Sequence, residues 1–211
     1  MTIVIVKPRM VVIVKGEGLA EGVKRKMIEQ AALSLASKGL QRTSFTQVLE
    51  ASGAPRGSLY HHFPGGKDEL ILAALDLAGE WALRKFAGPS GRSPTQVAEG
   101  FVELWRSVLL YSDFGAGCAV AAVAIAAEAP DLLVRAAAIF RKWRERLAAQ
   151  LVQGGIDEPR ATALANLLIA ACEGAVILAR AEHSMKSFEQ AMQSLILLIS
   201  EAVESGTLSR F

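Results

Sequence analysis

The segment RGSLYHHFPGGK, residues 56–67, constrains the fold more than any other part of the chain. It is short, polar and rich in aromatic and histidine side chains, and it lies between two stretches with helical periodicity. Before it, Gly53 is suited to end a helix and Pro55 to begin the next one. We therefore predict a helix over 44–52, a tight turn, and a second short helix over about 56–62. Two short helices around a glycine-containing turn make a helix-turn-helix unit.

The first of these helices has a start signal and an apolar face. The Ser44 side chain can accept a hydrogen bond from the backbone N–H of Gln47, whose own side chain can reach back in a capping box. After it come Phe45, Val48 and Leu49 at positions i, i+3 and i+4, the spacing of residues on one face of a helix. This pattern predicts a short amphipathic helix with one buried face.

The second short helix carries side chains that suit a DNA duplex. Its first residues are expected to enter the major groove, where Arg56 can bind guanine O6 and N7. Gly57 lets the backbone approach a base edge, and Ser58 can donate or accept a hydrogen bond. Tyr60 and His61 can reach phosphates or thymine methyl groups. The chemistry of this helix therefore indicates sequence-specific DNA recognition.

The residues after these complete the unit. We expect Leu59 and Phe63 to face inward as core. Lys67 stands just before Asp68 and Glu69, two acidic residues that favour a helix start through the helix dipole. The N–H groups of that helix start, together with Lys67, predict a phosphate clamp.

These residues resemble the N-terminal domain of the tetracycline-repressor (TetR) family over about residues 22–72. The matching pattern consists of Thr43-Ser44, Gly53, Gly57-Ser58-Leu59-Tyr60-His61-His62-Phe63, Lys67 and Leu70. The form YHHFPGGK is similar to the LmrA/YxaF-like subgroup. That subgroup's C-terminal domain is resembled by Gly117-Cys118, Trp143, Glu173-Gly174-Ala175 and Arg180.

The resemblance implies DNA contacts at nine positions, which are Thr43, Ser44, Arg56, Gly57, Ser58, Tyr60, His61, His62 and Lys67. Of these we expect bases to be contacted by Arg56 and Gly57. Phosphates are expected to be contacted by Thr43, Tyr60, His61 and Lys67. Ser58 suits either role, and His62 is equally suited to a contact and to a structural position.

The distribution of charge agrees with a DNA-binding N-terminal part. Residues 1–67 carry ten Lys and Arg against four Asp and Glu, a balance of +6, whereas residues 68–211 carry 13 against 17, a balance of −4. The helix-turn-helix thus lies in the basic part, as its electrostatic interaction with DNA requires.

Helical patterns continue to the C-terminus, and the fold is predicted to be all-α with about nine helices. Besides the two short ones, helices are expected over about 22–38, 67–86, 118–128, 131–153, 158–182 and 187–204, and another follows a second capping box at Ser93-Pro94-Thr95-Gln96. No strand pattern follows residue 15. We predict a three-helix DNA-binding domain joined to a C-terminal helical bundle.

The predicted domains are 16–66 for DNA binding and 67–211 for ligand binding and dimerisation, with 67–86 as a connecting helix and a Gly/Pro-rich break at 88–91. Residues 1–15 are an N-terminal extension that contains two short β-branched runs. A flexible arm, a strand at a dimer edge and a choice of start site all fit this extension, and a basic arm in a DNA groove is a further alternative.

The last two helices are predicted to form a homodimer interface within about 158–204. Residues 163–179 and 191–199 are apolar nearly all round, which is typical of helices buried on every side. Small residues at Ala170 and Gly174 would allow two backbones to approach closely. A dimer would place two recognition helices about 34–36 Å apart on a palindromic operator.

A regulator of this kind needs a releasing ligand, and the candidate site is the C-terminal bundle. The residues proposed to line it are Phe101, Trp105, Tyr111, Phe114, Cys118, Phe140, Trp143, Glu173 and Arg180. Aromatic walls with a few polar groups suit small hydrophobic or aromatic molecules, although aromatic residues at helical spacing are also typical of an ordinary core. Glu173 and Arg180 fit an interface pairing and a ligand contact equally.

Other function classes are disfavoured. No nucleophile elbow, zinc-protease or dinucleotide-binding motif is present, and Gly65-Gly66-Lys67 is followed by Asp68 where a P-loop needs Ser or Thr. Neither an enzyme nor a cofactor is therefore predicted. A transcriptional activator of the same fold, and a ligand-binding protein that has lost DNA affinity, are the alternatives.

Cysteine content and hydropathy indicate a cytoplasmic protein. Cys118 and Cys172 have no spacing typical of a zinc site, and two buried thiols are expected, with a redox sensor as the alternative. The longest uncharged run, 114–127, has 14 residues, whereas a membrane span needs about 20. No membrane association is predicted.

Overall fold

The computed structural model describes residues 5–6, 9–10, 19–55 and 57–208, and side chains over 22–55, 57–58 and 60–203. In these ranges the chain forms one small hairpin and nine helices. The hairpin pairs β1 (Ile5–Val6) antiparallel with β2 (Arg9–Met10). The helices are α1 (Leu19–Lys38), α2 (Phe45–Ser52), α3 (Ser58–His62), α4 (Lys67–Ala87), α5 (Pro94–Tyr111), α6 (Ala119–Ala126), α7 (Pro130–Gln153), α8 (Glu158–Glu182) and α9 (Lys186–Leu208). The prediction of an all-α fold with about nine helices is confirmed.

Local capping explains most helix limits. Ser93 forms both halves of a capping box with Gln96 at the start of α5. The Asp157 carboxylate accepts from the N–H of Arg160 at the start of α8. At the end of α8, His183 adopts a left-handed conformation with φ 48°. The predicted start of α5 and both predicted limits of α8 agree with the structure.

Helices α1 and α9 extend beyond their predicted ranges, whereas α3 and α6 are shorter than predicted for physical reasons. The N–H of Ser58 donates to the Pro55 carbonyl, and this turn delays α3, which begins at Ser58 rather than near residue 56. Cys118 caps α6 from outside, because its Sγ accepts from the N–H of Ala121. With Ala127 in an extended conformation, α6 is confined to eight residues.

The chain divides into two compact units, of which the first comprises residues 1–80 and 118–139. In it α1 packs against α2, α3 and α6. The core includes one apolar stripe of α1, whose Met27, Ala31 and Leu35 are fully buried. From the helix-turn-helix, Val48 and Phe63 are buried as predicted. The side chain of Leu59, also predicted to face inward, lies outside the described residues.

The second unit comprises residues 81–117 and 140–211. Here α5 packs on α8 and α9, and α8 and α9 pack closely on each other. Buried side chains repeat along α8 at Ala161, Ala165, Leu168 and Cys172, the spacing of one helix face. The division into units follows contacts within the chain, and the functional domain boundaries remain a prediction.

Candidate nucleic-acid interface and ligand site

The turn between α2 and α3 is held by short-range contacts. The Ser44 Oγ accepts from the N–H of Gln47 at 3.3 Å at the start of α2. Gly53 ends that helix with φ 67°, a conformation that side chains with a Cβ adopt only with strain. The Pro55 carbonyl accepts from the N–H of Ser58 at 3.0 Å. Local chemistry thus fixes where α3 starts.

The region of α3 presents a polar, open surface. Gly57 is exposed, and a Cβ built on it meets no described atom within 4 Å. Tyr60 is 71% exposed, and its ring stands edge-on to that of Phe45 with centroids 6.4 Å apart. His61 is also exposed. Another molecule can therefore approach this surface closely without clashing with the protein.

The inner side of this region is anchored by Phe63. Its ring is buried, and the Lys24 ammonium lies 5.4 Å from the ring centroid. His62 is half-buried, with its ring 5.0 Å from that of His61. Ser58 is half-buried too. Arg56, the residue predicted to bind guanine, lies outside the described residues.

Thr43 is placed differently from the sequence-based expectation of a phosphate contact. It is buried, its Oγ1 donates to the Gly39 carbonyl at 2.8 Å, and it lies 2.9 Å from Ser34 Oγ. A hydroxyl has one proton to donate, and here that proton is used inside the unit. In the structure its side chain holds the turn between α1 and α2, and a phosphate contact by Thr43 stays a prediction.

Lys67 lies in the same region and makes a hydrogen bond within the protein. Its Nζ donates to the Leu40 carbonyl at 3.3 Å, which ties the first residue of α4 to the end of α1. The side chain is half-buried. Beside it, the Glu69 carboxylate accepts from the N–H of Gly65 at 2.8 Å. A phosphate contact by Lys67 would need this ammonium to share its three protons with the Leu40 carbonyl.

Four of the predicted ligand residues meet in the second unit, where they form an aromatic cluster. The ring centroids of Phe101 and Trp105 are 6.4 Å apart, those of Trp105 and Trp143 6.3 Å, and those of Phe140 and Trp143 5.4 Å. Phe86, which was not predicted, completes the cluster with its ring 5.2 Å from Phe101. All five rings meet edge-on, and only Phe140 is not fully buried.

Trp105 and Gln150 each carry a buried polar group in the second unit. Trp105 is 3% exposed, and its Nε1 has no hydrogen-bond partner among the described residues. Gln150 is 7% exposed, and its Nε2 donates to the Ala87 carbonyl. The Oε1 of Gln150 is buried without a hydrogen-bond partner in the described part of the chain. Gln150 was not predicted, although it continues the stripe that Trp143 begins on α7.

The other predicted ligand residues are distributed elsewhere. Tyr111 is 55% exposed. Phe114 stacks on His183, with centroids 4.7 Å apart, and the Arg180 guanidinium donates to the carbonyls of Phe114 and Gly115 at 3.3 Å. Arg180 therefore holds the loop after α5, a role that was not foreseen. Phe114 and its neighbour Asp113 both have positive φ, so this loop is strained.

The remaining two predicted ligand residues lie in different units. Cys118 is buried in the first unit. Glu173 is half-buried beside Cys172 in the second. Burial raises the pKa of the Cys172 thiol well above its usual range, with a further increase from Glu173 and an opposing effect of Arg106. Cys172 is thus a buried core thiol whose thiolate form is disfavoured, and its Sγ lies 3.2 Å from Met192 Sδ.

A bidentate ion pair in the second unit was missed from sequence. The Nε and Nη2 of Arg106 donate to the two carboxylate oxygens of Glu189 at 2.7 and 2.8 Å, and Nη1 donates to Glu103 at 2.5 Å. The hydrogen bond from Arg106 lowers the pKa of the Glu189 carboxyl. This pair clamps α5 to α9 across 83 residues of sequence, a separation that no local pattern reveals.

An apolar surface runs along α8 and α9. It comprises the exposed side chains of Leu167, Ile177, Leu178, Leu197 and Leu198. Among the described helices, only α8 is long and apolar enough to span a membrane, and 44% of its apolar 18-residue stretch is buried. A single such helix is weak support for a membrane, because core helices meet the same criteria. No group of metal-ligating side chains occurs among the described residues.

Comparisons with known proteins agree with this geometry. Residues 28–74 match the model of bacterial regulatory proteins of the tetR family, and residues 94–194 match the C-terminal domain of LmrA/YxaF-like transcriptional regulators. An uncharacterized HTH-type transcriptional regulator of Mycobacterium tuberculosis is 35% identical over 194 residues, which cover 87% of this chain and 98% of the relative. The HTH-type transcriptional regulator LmrA of Bacillus subtilis is 28% identical over 159 residues, 74% of this chain and 85% of the relative.

Solved structures give the same result. A TetR transcriptional regulator from Chloroflexus aurantiacus superposes with a TM-score of 0.73 at 28% identity, covering 87% of this chain and 97% of that chain. The regulatory protein TetR from Rhodobacter sphaeroides also gives 0.73, at 20% identity, over 85% of this chain and 98% of that chain. The second likeness is one of fold alone.

Proposed function

The chain belongs to the tetR family of bacterial regulatory proteins, and on that premise we propose that it is a repressor that binds a palindromic operator as a homodimer and is released by a small hydrophobic or aromatic molecule. It is a transcriptional regulator and not an enzyme. We place its action in the cytoplasm, where its DNA lies.

The observation that carries the proposal is the open surface at α3. Gly57 is exposed, with free space where a Cβ would stand, and Tyr60 and His61 point outward while Phe63 anchors the opposite side. A helix presented in this way can enter a major groove. Arg56 beside it is our candidate for guanine recognition.

Gly57→Ala tests this surface, because the added methyl group meets no described atom of the protein itself. If the Gly57 backbone lies against a base edge, the methyl group prevents that approach and operator affinity falls by about 1–3 kcal/mol, roughly 5- to 150-fold. The measurement is fluorescence anisotropy against the DNA upstream of the gene, at about 150 mM salt. Gly22→Ala in α1 is the matched control, since its Cβ is equally unobstructed.

The result decides between the alternatives. Tight binding to one palindromic segment that weakens in Gly57→Ala and not in Gly22→Ala supports specific recognition by α3. Equal affinity of both variants would contradict a base contact at Gly57. Only weak, salt-sensitive and sequence-independent binding would favour a ligand-binding protein without operator affinity, and increased expression of the adjacent genes when it binds would favour an activator.

Dimerisation through α8 and α9 is supported by their exposed apolar surface. Ile177 is 57% exposed and Leu197 63% exposed, and a second copy would remove them from water. We expect Ile177→Glu to give monomers by light scattering, because the charge would be buried in the dimer. Ile125→Glu is the control, since Ile125 is 78% exposed on α6 in the other unit. Dissociation by both variants, or by neither, would contradict this interface.

Ligand response is proposed for the aromatic cluster. A ligand that inserts among these rings would stabilise one arrangement of α4, α5 and α7, and operator affinity would fall by linkage. The reciprocal effect is that operator DNA weakens ligand binding by the same factor. Operator affinity that stays constant across a broad set of saturating hydrophobic compounds would count against release by a ligand.

A further inference from the structure

We infer that the aromatic cluster takes a flat aromatic ligand that accepts a hydrogen bond from Trp105 Nε1 and donates one to Gln150 Oε1. The inference rests on the ligand response proposed above. It adds the polar groups that the ligand must carry, which neither the fold nor the family specifies.

The first observation is the indole of Trp105. The residue is 3% exposed, and its Nε1 has no hydrogen-bond partner among the described residues. An indole N–H is a donor only, so the group that it lacks is an acceptor. A buried donor without an acceptor is destabilising, and most native structures contain few of them. A carbonyl or ether oxygen on a ligand would supply the missing acceptor.

The second observation is the amide of Gln150. Its Nε2 donates to the Ala87 carbonyl, and a carbonyl can only accept, which fixes which end of the amide is which. The Oε1 is therefore the atom left buried without a hydrogen-bond partner in the described part of the chain. It needs a donor, such as a ligand hydroxyl or amine.

Both residues lie in the second unit. Trp105 contacts Phe101 and Trp143, and Phe86 contacts the same two rings. The carbonyl that binds Gln150 is that of Ala87, the residue after Phe86. On α7, Gln150 follows Trp143 by seven residues, about 10 Å along the helix axis. A ligand that meets both groups would therefore carry its acceptor and its donor at separate ends.

The cluster also offers one ring that can move. Phe140 is the only member that is not fully buried, and it meets Trp143 edge-on at 5.4 Å. It is therefore the ring of the cluster that solvent already reaches. A ligand of about two fused rings could then take the edge-on contacts that Phe140 makes and place its polar ends toward Trp105 and Gln150.

Three probes test these requirements by equilibrium dialysis with the full-length protein. 6-Acetyl-2-naphthol carries an acceptor and a donor at opposite ends, 2-acetylnaphthalene carries the acceptor only, and 2-ethylnaphthalene carries neither. We expect affinity to decrease in that order, by about tenfold for each hydrogen bond lost.

Variants of the protein identify the atoms. Trp105→Phe removes the donor and should abolish the advantage of 2-acetylnaphthalene over 2-ethylnaphthalene. Gln150→Met keeps the volume and should abolish the advantage of the hydroxyl group. Trp143→Phe is the matched control, because it shrinks another ring of the cluster and should weaken all three probes alike.

Operator binding is measured on the same samples. Equal affinity for the three probes, an equal loss for all of them in Trp105→Phe, or no binding up to the solubility limit would each overturn the inference. If operator binding persists in that case, the DNA-binding function stands without it. Selective binding that depends on Trp105, found in a protein that does not bind an operator, would support the inference and contradict the proposed function.

Discussion

The contact between α4 and α7 in the first unit predicts whether Gly79→Ala raises or lowers the free energy of unfolding. Gly79 of α4 faces Ile139 of α7, and a Cβ built on Gly79 would lie 2.8 Å from Ile139 Cγ2 and 3.2 Å from its Cγ1 and Cδ1. Carbon atoms in favourable contact are about 3.5–4.0 Å apart. Three atoms of one branched side chain block the position, so no single rotation clears it.

Two effects of Gly79→Ala therefore oppose each other. Alanine stabilises a helix interior by about 1 kcal/mol relative to glycine. Overpacking of a tight contact costs about 1–3 kcal/mol. We expect the second effect to win, with a net loss of up to about 2 kcal/mol in the free energy of unfolding. In an Ile139→Ala background the clash is absent, and the same substitution should stabilise the protein by about 1 kcal/mol.

Urea unfolding followed by helical circular dichroism measures all four proteins, namely wild type, both single variants and the double variant. Ile139→Ala alone should cost about 2–5 kcal/mol, because it opens a cavity in the unit. The interaction energy of the cycle should be about 1–3 kcal/mol. Stabilisation by Gly79→Ala in both backgrounds would refute the argument, since it would mean that Ile139 yields at no cost.

Four further results are expected. Glu189→Gln should lower the free energy of unfolding by about 1 kcal/mol at pH 7, allowing for solvent screening of the ion pair with Arg106. The pKa of Glu189 is lowered in the folded chain, so its contribution to stability is present above the unfolded-state pKa and is lost as the pH falls through the folded-state pKa. Thermal melts of the wild type and the variant should therefore converge in acid. Cys172, buried and with its pKa raised, should react with a thiol reagent at pH 7 only after denaturation, and rapid native labelling would contradict this. Ser93→Ala should cost about 1 kcal/mol through loss of the capping box, and an unchanged melting temperature would argue that the box adds nothing. Thr43→Val should destabilise the first unit by about 1–3 kcal/mol but leave the salt dependence of operator binding unchanged, whereas a slope reduced by about one would restore a phosphate contact.

Most of the fold could be predicted from the sequence because its helix ends are decided locally. Ser93 and Gln96 form the predicted capping box, and Gly53 adopts the left-handed conformation that ends α2. Such signals involve residues within four positions of each other. The start of α3 was less well predicted, because Pro55 makes a turn with Ser58 instead of opening the helix.

The candidate ligand site was only partly predictable, since it depends on which helices face one another. Phe101 and Trp105 lie one turn apart on α5, and their shared face could be read from spacing. The contacts of Phe86 on α4 with Phe101 and Trp143 could not be predicted, because no local pattern relates residues on separate helices. One signal was available: Gln150 continues the i, i+7 stripe of Trp143, and a polar residue on an apolar stripe indicates a buried polar group.

The helix-turn-helix motif contains residues of two physical kinds, which spacing alone does not separate. Thr43 is buried with its hydroxyl bonded inside the unit, and Lys67 donates to the Leu40 carbonyl, so both restrain the position of α1 relative to α2 and α4. Gly57 and Tyr60 are exposed and restrain little. A motif of this kind can be required as a whole even though only part of it touches DNA, because a recognition helix that is not held in place loses its fit to the groove. Substitutions in the first group should therefore act on stability and affinity together, and those in the second group on affinity alone.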